Sequence, residues 1–126
     1  MGYRSEVGLV LSKNGVSILH ERLKNANLSE EVKNDVCELL QYAHEHYKDK
    51  TTGSEVWRWQ DTKWYDSLPY YFEEIKFIAD TIRDLPEKDY CFIRIGEDCD
   101  DVDVWGDYWD NPFDFGLERK IAISPA

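Results

Sequence analysis

Cys91-Phe92-Ile93-Arg94-Ile95-Gly96-Glu97-Asp98-Cys99-Asp100-Asp101-Val102-Asp103-Val104-Trp105 is the stretch on which the fold turns. Cys91, Ile93 and Ile95 alternate with Phe92 and Arg94, the period of two that a strand needs, and Gly96 stops the run. A further strand is expected around Val102 to Trp105, and another around Leu117 to Ile123. Upstream, Ser67 and Pro69 open a predicted helix in which Tyr71, Ile75, Ile78, Ile82 and Leu85 share a stripe, and Pro86 ends it. Val56 to Trp59 reads as a strand with Trp57 and Trp59 on one face, set off by a polar turn over 48–53 and a loop over 61–66.

Nearer the amino terminus, Ser29 is placed to cap a helix with Glu30 and Glu31 in its first turn, where the helix dipole favours negative charge. Val32, Val36, Leu39, Leu40 and Ala43 give that helix its apolar face. Asn14 is the expected cap of a shorter helix carrying Val16, Leu19 and Leu23, and Val7, Leu9 and Leu11 form the apolar face of a first strand. Strands and helices do not alternate regularly enough for a doubly wound parallel sheet. The expected fold is α+β: a mostly antiparallel sheet of four to five strands with about three helices packed on one face, in a single domain of 126 residues.

The net charge is −11, from 26 acidic and 15 basic residues, and it is not spread evenly. From Gly96 to Glu118 there are nine acidic residues and no Lys or Arg, leaving 17 acids against all 15 bases elsewhere. This acidic segment, 96–118, also holds Trp105, Tyr108, Trp109, Phe113 and Phe115. A polyanion repels nucleic acid, so no direct nucleic-acid binding is expected, and a cationic protein surface is the favoured partner. Asp101 and Asp103, at alternate strand positions roughly 6 to 7 Å apart, can present carboxylates to Arg or Lys, while Trp and Tyr concentrate interface energy. The candidate binding residues are Glu97, Asp98, Asp100, Asp101, Asp103, Trp105, Asp107, Tyr108, Trp109 and Asp110. The competing structural reading makes the rings core and the acids the decoration of an exposed hairpin.

Other chemistries have weaker signals. Reading Asp101 as the first position of a calcium loop puts Asp103 third and Gly106 sixth, but Trp105 falls fifth and Pro112 twelfth, where a bidentate carboxylate is required. Asp98, Asp100, Asp101 and Asp103 leave open a divalent-metal-dependent hydrolase or nuclease, which would need a further acid and a cation from elsewhere in the fold. A third alternative is a small-ligand or nucleotide-derivative binder with Trp57, Trp59 and Trp64 stacking on its ligand. No phosphate loop, dinucleotide fingerprint or nucleophile elbow is present, so no catalytic residue, metal ligand or cofactor is assigned.

Cys37, Cys91 and Cys99 are odd in number and fall in different elements, so reduced thiols are expected, with Cys37 and Cys91 in the core. His44 and His46 are read as a solvated helix end. No apolar run approaches the roughly 20 residues that span a bilayer and no signal peptide opens the chain, so no membrane partner and a cytoplasmic location are expected. The apolar helix faces serve either a core or a homodimer seam.

Three short pieces resemble a group of small phage and prophage proteins of uncharacterised function: Tyr3-Arg4-Ser5-Glu6-Val7, Lys63-Trp64-Tyr65, and Phe92-Ile93-Arg94-Ile95-Gly96-Glu97-Asp98 leading into Asp100-Asp101-Val102. The resemblance implies a viral origin and action inside a bacterial host, by binding and blocking a host enzyme or defence complex, in some cases as a mimic of nucleic-acid phosphates.

Overall fold

The structure is a computed structural model and describes residues 3–67, 70–98 and 100–117. Its elements run β1 (Ser5–Leu11), α1 (Lys13–Asn25), α2 (Glu30–Gln41), β2 (Glu45–Lys48), β3 (Glu55–Thr62), a two-residue ladder of β4 (Asp66–Ser67) with β5 (Tyr70–Tyr71), α3 (Glu73–Arg83), a 3-10 turn (Glu87–Asp89), β6 (Tyr90–Ile95) and β7 (Val102–Gly106). The main sheet has the order β2-β3-β1-β6-β7, and every neighbouring pair is antiparallel. The described residues form a small α+β domain with three helices and a five-stranded antiparallel sheet. Among the described residues, no helix is long and apolar enough to cross a membrane.

The alternation of β1 decides which face is which. Val7, Leu9 and Leu11 point with Trp57, Trp59, Tyr90 and Phe92 into one core, where the helices supply Leu19, Val36, Leu40, Ile75, Ile78 and Ile82. Trp59 Nε1 donates to the Leu39 carbonyl at 2.8 Å, tying the end of α2 to the sheet. Val10, Val56 and Cys91 point the other way and form a second, smaller cluster under the half-buried rings of Tyr108, Phe113 and Phe115. β1 is therefore apolar on both faces, as a central strand covered on both sides must be. Helices cover one face, and the acidic and aromatic segment crosses the other.

Several local expectations are corrected. The cap of α1 is Ser12, whose Oγ accepts from Gly15 N at 3.1 Å; Asn14 instead donates to Asp89 at 3.0 Å. Ser12 Oγ also donates to the same buried carboxylate at 2.7 Å, pinning the helix start to the turn before β6. Ser29 caps α2 as expected. His44 and His46 do not end a helix: His46 lies in the edge strand β2, because its ring stacks on Trp57 across the ladder, with centroids 4.8 Å apart. β3 runs through Asp61 and Thr62, which the sequence reads as loop, and α3 starts at Glu73, leaving Tyr71 to β5. Cys37 is exposed, on the solvent side of α2, whereas Cys91 is buried and its thiol is pushed up to about 11 by desolvation. The strand expected around Leu117 to Ile123 lies outside the described residues beyond Leu117, and Cys99 lies outside them too.

Candidate functional site

β6 and β7 form the hairpin that carries the acids. Arg94 and Asp103 are cross-strand partners, so the guanidinium and the carboxylate meet directly, Nε to Oδ2 at 2.8 Å. Asp101, just before β7, takes Arg94 Nη2 at 2.6 Å, and Arg94 Nη1 also reaches Ser5 Oγ at 3.1 Å. The Arg94 side chain is only 15% exposed, so its charge is compensated inside the fold. Both carboxylates hold Arg94 firmly protonated, Asp101 the more strongly, and Arg94, helped by the Tyr3 hydroxyl, holds the Asp101 carboxyl below the usual carboxylate range.

Tyr3 completes the arrangement. Its hydroxyl donates to Asp101 Oδ2 at 2.6 Å and accepts from Asp98 N at 3.0 Å, while its own backbone N–H donates to Tyr65 Oη at 2.8 Å. Arg4 N donates to Glu97 at 2.9 Å. Gly96 leaves room for this network, since a Cβ there would push against the Asp101 carboxylate and the Tyr3 hydroxyl. Residues from the amino terminus, the segment after β3 and the β6–β7 hairpin thus converge on one end of the sheet, with Tyr3, Ser5, Tyr65, Arg94 and Asp101 in one hydrogen-bonded network.

The candidate binding residues divide into two groups. Asp101 and Asp103 face an internal arginine, so the cation their spacing calls for is Arg94. Trp105 is half-buried, stacked on Phe92 at 4.7 Å with the Arg83 guanidinium 4.4 Å over its ring. Tyr108 is half-buried and shares a 2.7 Å hydrogen bond with Ser54 Oγ. Glu97, Asp98, Asp100, Asp107 and Asp110 are exposed, and among the described residues none of them forms an ion pair. Trp109, between Asp107 and Asp110 in the chain, is 43% exposed, with its ring stacked on Phe115.

Sequence reasoning missed Tyr3, Ser5, Tyr65 and Arg94 as members of the site. The available signal was Arg94 itself, a cation inside an otherwise apolar strand that faces an acidic one. Trp57, Trp59 and Trp64 are 2%, 4% and 5% exposed, so these rings fill the helix-side core and offer no stacking surface to a ligand. Among the described residues, no three His, Cys, Asp or Glu side chains are grouped to hold a metal ion. Comparison of the chain with family models, with curated proteins and with solved structures returned no match.

Proposed function

We propose that the protein is a non-enzymatic binder that docks its acidic segment on a basic surface of a host factor and blocks it. The observation that carries this reading is the contrast within the acidic segment. Arg94 neutralises Asp101 and Asp103, while Glu97, Asp98 and Asp100 stand exposed at the turn of the hairpin and Asp107 and Asp110 stand exposed beyond the other end of β7, where they flank Trp109 in the chain. Unpaired carboxylates on an ordered backbone lose little conformational freedom on meeting Arg or Lys, and they raise the association rate with a cationic surface. Trp109 supplies the aromatic contact, and Trp105 and Tyr108 hold the platform from beneath.

The blocking mechanism is occlusion. Arg and Lys groups that grip phosphates engage carboxylates instead, so nucleic acid and this protein compete for one surface. That fits a phage-encoded inhibitor of a nucleic-acid-handling or antiviral host protein acting in the bacterial cytoplasm. The test is affinity capture from a bacterial lysate at low and high ionic strength, comparing the native protein with a variant carrying Asp98→Asn, Asp100→Asn, Asp107→Asn and Asp110→Asn. Capture of basic proteins that are released by salt and by duplex DNA, and lost in the variant, is expected. Equal capture by the variant with unchanged salt sensitivity removes the proposal.

A further inference from the structure

We propose that the open sheet face beside the acidic loop is a docking groove for an extended peptide of a partner in which basic and aliphatic side chains alternate. This rests on the reading above and supplies its apolar half. Phe113 and Phe115 cover the end of this face near Val10 and Cys91, and Gly8 lets them in: a Cβ there would sit 2.6 Å from the Phe115 ring. Towards Glu6 and Ile95 the face opens into a cavity of about 810 Å³. Its floor is Val56, Ile93 and Ile95, and exposed Tyr47 and Leu117 stand on its rim, 56% and 39% accessible. An apolar floor with exposed apolar rims marks a surface that gains by being covered.

Charge selects the occupant. Arg58 is clamped by Glu45 and lies 3.7 Å from Glu6, so it is compensated within the groove, and Asp114 adds a third carboxylate to the lining. Glu45 is held ionised, its carboxyl lowered by Arg58 and by the Tyr47 hydroxyl that donates to it. Among the described residues of the lining, three carboxylates against one guanidinium leave a surplus of negative charge, which repels anionic ligands and, at a chain charge of −11, a second copy. An extended segment presents side chains with a period of two, so one set faces the floor while the other reaches the carboxylates. Glu6 pairs with Ile95, and Glu97 follows two residues later, so the groove runs directly into the exposed acids of the loop.

The test uses the full chain, isotopically labelled, with two short synthetic probes: alternating lysine and valine, and alternating lysine and serine. Saturable amide shifts at Tyr47, Val56, Ile95 and Leu117 are expected with the first probe, and affinity about tenfold lower with the second, which keeps the charge and loses the apolar contacts. Tyr47→Ser, on an exposed rim, should weaken the lysine–valine probe by several-fold, and Ile95→Lys more, with spectra otherwise native. Equal affinity for both probes, with shifts confined to 97–110, overturns the groove and leaves the acidic docking surface standing. Absence of shifts with either probe counts against both. Shifts at the groove that depend on protein concentration alone give it to a second copy and overturn the proposal.

Discussion

The two faces of the sheet are covered in different ways. The helix side is built by burial: large aliphatic and aromatic residues from three helices meet Leu9, Trp57, Trp59 and Phe92. The other side has small floor residues, Gly8, Val10, Val56 and Cys91, and is covered by a charged segment outside helices and strands. That segment is fastened by a few rings and by the Tyr108 to Ser54 hydrogen bond. The first face provides the folding free energy through buried apolar area, and the second uses a few contacts to hold carboxylates in the open.

This contrast orders the effects of substitution. Phe92→Ala removes a fully buried ring in contact with Trp64 and Trp105, and a loss of about 3 to 5 kcal/mol in denaturant unfolding is expected. Arg94→Leu leaves Asp101 and Asp103 without their cation near the turn of the hairpin; because about a third of each carboxylate side chain stays open to water, about 2 kcal/mol is expected by the same measurement. A variant that loses less than about 0.5 kcal/mol would show that Arg94 does not hold the frame.

Gly8→Val acts on the second face alone. Its methyl groups meet the Phe115 ring, so the crossing segment must lift at a cost of about 1 to 3 kcal/mol, and Trp109, stacked on that ring, should show red-shifted emission. Unchanged emission would break the division between the two faces.

The smallest effect is that of acid. The folded-state carboxyl of Asp101 lies below its unfolded value of about 3.9, so its contribution is fully present above that pH and is lost as pH falls through the folded value. Asp101→Asn should therefore give a flatter decline of stability below about pH 4 than the native chain shows, with little difference in that slope at neutral pH. Identical acid limbs in both proteins would mean that Asp101 is not preferentially ionised by the fold.

Much of this was legible in the chain. The apolar alternation of β1, β3 and β6 and the helical stripes of α2 and α3 are recorded directly in the sequence, although β1 and β6 bury residues on both faces of the sheet. β2 was not legible. Glu45-His46-Tyr47-Lys48 has no apolar alternation, and it is a strand only because His46 lies on Trp57 and Glu45 on Arg58. Propensity also misplaced the start of α3, where the β4 and β5 ladder intervenes and Phe72 takes the cap position with no side-chain bond. In the candidate site, the concentration of acids was plain from sequence, but their partition was not. Asp101 and Asp103 differ from Asp98 and Asp100 through the register of β6 on β7, which brings Arg94 to the former pair only. The inward turn of Trp105 and Tyr108 and the outward one of Trp109 likewise depend on contacts with Phe92, Arg83 and Ser54, far away in the chain.

The most direct test is the salt dependence of affinity for a captured basic partner, measured by titration calorimetry with the native chain and with the Asp98→Asn, Asp100→Asn, Asp107→Asn, Asp110→Asn variant. Affinity of the native protein should fall steeply as ionic strength rises, and the variant should bind more weakly at low salt and vary much less with it, at native stability. Two superimposable salt profiles of equal affinity would contradict the assignment of the exposed acids as the docking surface.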